Sequence, residues 1–193
     1  ITTVTRALGS GLVSMAGGVL NLDADLTIDT LEGSGGTIET DGFTLTIDSE
    51  DSDYAFAGKI TGTGAFLYQG GPGVLTLSGA NDYTGGTTIT GGTLKTNNLS
   101  ALGSGAVAVN GGSLDLDSAL NIGSLSGLAG SSILMDYALT VTQTVDNTYA
   151  GTISGAGSLT KAGAATLTLS GTNTYTGGTT ITDGTLKADN LSA

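Results

Sequence analysis

Apolar residues alternate with threonine, serine and aspartate in short runs along the whole chain. Leu26 to Ile28, Phe43 to Ile47, Val74 to Leu77, Thr87 to Thr90, Val107 to Val109, Leu114 to Leu116, Leu139 to Val141, Leu167 to Leu169 and Thr179 to Thr182 all follow this pattern. A period of two puts leucine, isoleucine and valine on one side of an extended backbone and hydroxyl or acidic residues on the other. Threonine and the β-branched apolar residues suit a pleated, half-buried surface. Glycine or asparagine closes nearly every run, and the chain holds 34 glycines. Interior glycines each cost a helix about 0.5–1 kcal/mol against alanine, so the pattern predicts many short strands and no helix. Leu125 to Asp136 is the least patterned stretch.

These runs belong to a longer repeat. Residues 57–101 and 150–193 are two copies of one segment, offset by 92 residues from Val74 onward and by 93 before it. The change in offset falls near Pro72, the only proline. A second pair of segments, Ala7 to Leu22 and Ala101 to Leu116, matches at an offset of 94. A closed sandwich or barrel gives each strand different surroundings and has no reason to reuse a 45-residue sequence. A solenoid gives equivalent strands equivalent surroundings. The expectation is therefore a β-solenoid of about eight or nine coils, each of roughly 20–25 residues, stacked at about 4.8 Å into a rod about 40 Å long. Leu75, Leu77, Ile89, Leu94 and their counterparts Leu167, Leu169, Ile181 and Leu186 are expected to point inward. No linker divides residues 1–193, which are expected to form one continuous unit. Because Ile1 and Ala193 both fall inside repeat sequence, that unit reads as a segment of a longer rod.

The two copies carry specific signatures. Gly155, Gly157, Leu159, Thr160 and Lys161 are followed by Leu167 to Gly171, and then by Asn173, Tyr175, Gly177, Gly178, Thr179 and Thr180. The first copy shows Leu75 to Gly79, Asn81, Tyr83, Gly85, Gly86, Thr87 and Thr88, with Tyr68 at the lysine position. This series resembles the autotransporter-associated β-strand repeat, a module of the passenger regions of bacterial type V autotransporters. The resemblance implies an all-β fold, a right-handed single-stranded parallel β-helix. It also implies export to the cell surface or exterior of a Gram-negative bacterium, and a structural or adhesive role. Expected partners are the same β-helix end to end, or a host or cell-surface glycan or protein. Gly85 with Gly86, and Gly177 with Gly178, are expected at corners with at least one residue of each pair at positive φ. Tyr83 and Tyr175 are expected to pack turns.

Charge narrows the partners. Seventeen acidic residues against five basic ones give a net charge of −12, which disfavours nucleic acid and anionic lipid. Direct membrane insertion is not expected, because no apolar run is long enough for a transmembrane helix. The chain has neither cysteine nor histidine, so disulfides, thiolate metal sites and imidazole catalysis are excluded. No catalytic residue and no cofactor is expected. Asp48, Glu50, Asp51 and Asp53 form the densest acidic stretch and the one weak calcium candidate, although they lack the spacing of a calcium loop. The pairs Asp23/Asp25 and Asp115/Asp117 lie two apart and would share one face, as glycosidase-type work needs, but they alternate with Leu22 and Leu116, as a solvent-facing row would. Lys95, Lys161 and Lys187 recur with the frame and are expected on the surface or in turns. Two other readings remain. One is a carbohydrate-active enzyme or glycan-binding module on a β-helix. The other is a threonine-rich ice-binding face, which needs threonines aligned in a flat file.

Overall fold

The computed structural model describes Leu8, residues 11–49 and residues 52–190. Among these residues there is no helix, and every strand pairing is parallel. The chain winds through three faces per coil. The first face stacks Leu12–Ser14, Thr30–Glu32, Tyr54–Phe56, residues 74–77, residues 93–96, Ser113–Leu116, Ser132–Met135 and Thr152–Ser154. The third face stacks Leu26–Ile28, Leu45–Ile47, residues 66–68, residues 87–89, Val107–Val109, Leu125–Gly127, Asn147–Tyr149, Thr166–Leu169 and Thr185–Ala188.

The second face begins with Val19–Asn21, Thr37–Glu39 and Lys59–Thr61 and ends with Leu120–Ile122, Leu139–Thr142, Leu159–Ala162 and Thr179–Ile181. Between these two groups the chain is irregular. The ladder is carried there by single bonds: Asp82 N donates to Ile60 O at 3.1 Å, Ser104 N to Tyr83 O at 3.2 Å and Asn121 N to Leu99 O at 3.0 Å. The result is a β-solenoid of about nine turns.

Coil length follows from the register. On the first face Leu75 stacks on Leu94, Leu94 on Leu114, Leu114 on Ile133 and Ile133 on Ile153, steps of 19, 20, 19 and 20 residues. The inward apolar residues of all three faces fill one continuous core. Leu75, Leu77, Ile89, Leu94 and Leu167 are at most 1% exposed and Leu169 is 3% exposed. Burying each such side chain contributes about 1.5–3 kcal/mol.

Ile181 departs from the expectation. It is 53% exposed, and Leu186 is only partly buried. Both lie in the last described coil, where no further coil covers them. The patternless stretch from Leu125 to Asp136 forms two ordinary strands, Leu125–Gly127 and Ser132–Met135.

Two strands are much longer than the short runs of the sequence pattern. Phe66–Leu77 and Thr87–Thr96 run 12 and 10 residues because each turns the corner between the third and first faces without losing its ladder. Glycine makes that corner possible. Gly92 has φ of 63°, and a Cβ on it would lie 2.6 Å from Gly71 O. One coil on, Gly112 has φ of 61°, and its Cβ would lie 2.3 Å from Gly92 O. L-residues rarely adopt this backbone region, and no side chain fits the stacked corner.

The register also shows how the long repeat sits on the solenoid. Residues 74–77 lie on the first face, but their sequence counterparts Thr166–Leu169 lie on the third. From Leu75 to Ile153 is four coils on the first face, and Leu167 lies two faces further along the same coil. Lys59–Thr61 on the second face likewise corresponds to Thr152–Ser154 on the first. The repeat is therefore four coils and two faces long. Equivalent residues are rotated by one face from copy to copy.

Candidate functional site

The repeat signature builds the same hydrogen-bonded corner in both copies, on different faces. Where the second face loses its strand after Lys59–Thr61, the buried side chain of Asn81 takes over. Its Oδ1 accepts from Ile60 N at 2.7 Å, and its Nδ2 donates to Ala101 O at 2.6 Å. Asn81 thus links the coil before it to the coil after it. Asn173 repeats the first half of this arrangement, with Oδ1 accepting from Ile153 N at 2.9 Å, and turns its Nδ2 to Gly171 O at 3.2 Å. The Tyr83 and Tyr175 hydroxyls each meet a threonine hydroxyl, Thr87 and Thr179, at 2.6 Å. Tyr83 is fully buried, and burial pushes its phenol well above the usual range, against the hydrogen bond from Thr87. Gly86 and Gly178 follow with φ of 89° and 86°. A Cβ on Gly85 would sit 2.4 Å from Gly64 O, and one on Gly177 2.5 Å from Gly157 O. Asn81, Tyr83 and Gly86 are buried in these turns, Asn173 and Tyr175 are half-buried, and Gly85, Gly177 and Gly178 are exposed.

The lysine of the signature is more deeply placed than its chemistry suggests. Lys161 is fully buried, and its Nζ donates to Ala162 O, Gly163 O and Asp183 O at 2.9, 2.7 and 3.1 Å. It closes a corner by satisfying three carbonyls with its three donors. Tyr68, at the matching position, is also buried and donates through its hydroxyl to Gly73 O at 3.2 Å. Sequence reasoning found the turn but not the burial, because a lysine in a charge-poor pattern reads as surface.

Several carboxylates hold coils together. Asp25, Asp53 and Asp146 each use Oδ1 to accept a backbone N–H one coil on, from Thr44 at 2.7 Å, Val74 at 2.9 Å and Thr166 at 2.7 Å. Of the calcium candidate, Glu50 and Asp51 lie outside the described residues, Asp48 is exposed, and Asp53 is the corner acceptor just named. Asp115 and Asp117 do face one side, but Lys95 of the preceding coil lies between them, 3.5 and 2.9 Å from the two carboxylates. Asp117 and Asp115 push the Lys95 ammonium above its ordinary value. Lys59 and Thr61 in turn hold Asp82 below the usual carboxylate range.

Two outward features were not legible in the sequence. Asn121, Thr140, Thr160 and Thr180 stand in register on the second face, one per coil. The neighbouring file runs Thr142 and then Ala162, so the threonine surface is short and interrupted. The coil period of about 20 residues sets such a file, and the 92-residue repeat conceals it. Beside it, the irregular segment around Ser100 to Ser104 and the corner at Thr142 to Thr144 flank a groove of about 370 Å³. Ser100, Ser104, Asn121, Thr142 and Thr144 supply its polar groups, with the buried Ile122 beneath. The Thr144 hydroxyl is fixed by Ser124 Oγ at 3.1 Å, which also accepts from Thr144 N at 3.0 Å.

A parallel solenoid whose corners repeat at this interval defines a rod-forming repeat protein. Comparison with known proteins makes that specific. Residues 67–95 and 159–188 match the family described as passenger-associated-transport-repeat. A curated relative, the adhesin BmaC autotransporter of Brucella suis biovar 1 (strain 1330), is 40% identical over 164 residues, covering 75% of this chain. The chain carries autotransporter passenger repeats. It spans 5% of the length of that relative. No solved structure matches it.

Proposed function

We propose that the chain is a rod segment of an autotransporter passenger, displayed on or released from the surface of a Gram-negative bacterium, where it serves adhesion as a stiff stalk. The observation that carries this reading is the unbroken core running through every coil and built on passenger repeats. A solenoid of this kind resists bending because each coil is hydrogen-bonded and packed to the next. The similarity to an autotransporter adhesin supports the adhesive part. A non-enzymatic role is supported by the employment of the acids: Asp25, Asp53 and Asp146 hold backbone N–H groups, and Asp115 and Asp117 hold Lys95. Residues 1–193 are read as one continuous segment, able to continue end to end into further β-helix. The test is adhesion of beads coated with the purified chain to cultured host cells, counted against albumin-coated beads. Adhesion above the albumin control is expected; equal counts across cell types remove the adhesive role of this segment.

A further inference from the structure

The second face changes character halfway along the rod. Its early part presents Glu39, Lys59 and Asp82. From the fifth coil onward the segments that form it are residues 97–105, 119–124, 138–145, 158–164 and 178–182. Lys161 is the one charged residue among them, and its ammonium is turned into the corner. In a chain of net charge −12, this part of the second face runs five coils, about 20 Å, without an outward charge, as does the third face through residues 84–92, 106–112, 124–131, 147–151 and 165–171; what sets the second face apart is its groove. The groove between Ser100 and Thr144 lies on this face, away from both ends of the described rod.

Its chemistry restricts what it can hold. Charged ligands find no counter-charge there, and none of the five segments contains Arg, Trp, Tyr or Phe, the side chains that anchor protein interfaces. Ice requires a flat, regular array, whereas this surface is concave and the file beside Thr140, Thr160 and Thr180 passes from Thr142 to Ala162. What remains is a set of neutral donors and acceptors: the Asn121 amide and the Ser100, Ser104, Thr142 and Thr144 hydroxyls, with Thr144 held in place by Ser124. Leu99 is 49% exposed and its carbonyl accepts from Asn121 N, which puts apolar surface beside these groups. Hydroxyls and amides exchange hydrogen bonds with sugar hydroxyls directly or through water, without the cost of stripping a charge. We infer that this groove binds a neutral glycan. The inference rests on the adhesive reading above and gives it a site and a ligand class.

Affinity electrophoresis of the whole chain through gels containing dextran, yeast mannan or heparin tests it. Retardation is expected in at least one neutral polysaccharide and none in heparin. Asn121→Ala and Thr142→Ala should each weaken the neutral interaction about fivefold to tenfold, the effect of losing one or two hydrogen bonds. Ser154→Ala, on the first face, should leave it unchanged. Circular dichroism of each variant shows whether the solenoid is intact. No retardation by either neutral polysaccharide, or retardation that the groove variants leave untouched, overturns the inference. The bead assay separates the two readings: adhesion that survives both groove variants and excess polysaccharide preserves the adhesive role and removes the glycan site.

Discussion

At the residue scale, stability rests on a few buried polar side chains that replace missing backbone partners. Asn81 is the clearest. Truncating it leaves Ile60 N and Ala101 O unpaired inside the rod. Each orphaned group costs about 1–3 kcal/mol, so Asn81→Ala should destabilise the chain by roughly 2–6 kcal/mol. Asn81→Asp keeps the acceptor but sets a buried carboxylate oxygen against Ala101 O, and near neutral pH should cost at least as much as Asn81→Ala. Urea unfolding of the three proteins checks the order; an Asn81→Ala midpoint equal to the parent's would show that the bonds contribute nothing. The buried tyrosines make a second prediction. Burial pushes Tyr68 and Tyr149 up to about 12. An unfolded tyrosine ionises near pH 10, so the unfolded chain loses protons first as pH rises. The stabilisation is fully present below pH 10 and disappears between about pH 10 and 12. Absorbance at 295 nm should show a delayed group of tyrosines among the six, and Tyr149→Phe should reduce the fall in stability over that interval. Ionisation of all six near pH 10 in the folded chain would contradict this.

At the scale of elements, corners govern where strands start and stop. Gly112 and Gly130 both have positive φ, but a Cβ on Gly112 strikes Gly92 O whereas one on Gly130 meets nothing within 4 Å. Gly130→Ala should therefore cost about 1–2 kcal/mol of backbone strain alone. Gly112→Ala adds a collision with backbone and should cost clearly more, read as a larger drop in thermal midpoint. Equal effects would show that the column of glycines is there for its φ angles and not for close stacking. Strands were legible in the sequence because the alternation of Leu114 and Leu116 with Asp115, or of Leu167 and Leu169 with Thr168, is a local property. The inward side of Ile181 was read from the same alternation and was missed, because burial there requires another coil above it. The groove was missed for a different reason. Ser100, Asn121 and Thr144 come from three successive coils, and no spacing within one run brings them together.

At the scale of the whole molecule, the repeat and the coil are out of step, and this decides where copies of any surface feature point. A repeat four coils and two faces long turns each copy by one face relative to the last. Three copies, or fourteen coils, would bring the same feature back to its starting face, about 67 Å along a continuous rod. Within this chain the consequence is measurable with spin labels on outward residues. Thr88 and Thr168 share the third face, linked through Ala108, Ser126 and Thr148. They are four rungs apart, about 19 Å. Thr76 is the sequence counterpart of Thr168 but belongs to the first face, in line with Lys95, Asp115, Leu134 and Ser154. Its axial separation from Thr168 is about 22 Å, to which the width of the rod is added. Electron–electron double resonance on Thr88→Cys/Thr168→Cys should therefore give a shorter distance than on Thr76→Cys/Thr168→Cys. Thr76→Cys/Ser154→Cys should match the shorter one. The reverse order would place the two copies on one face and make the repeat a whole number of coils. The expected order means that a stalk made of such repeats offers each repeat-borne feature in three directions, whichever way the rod is rotated about its axis.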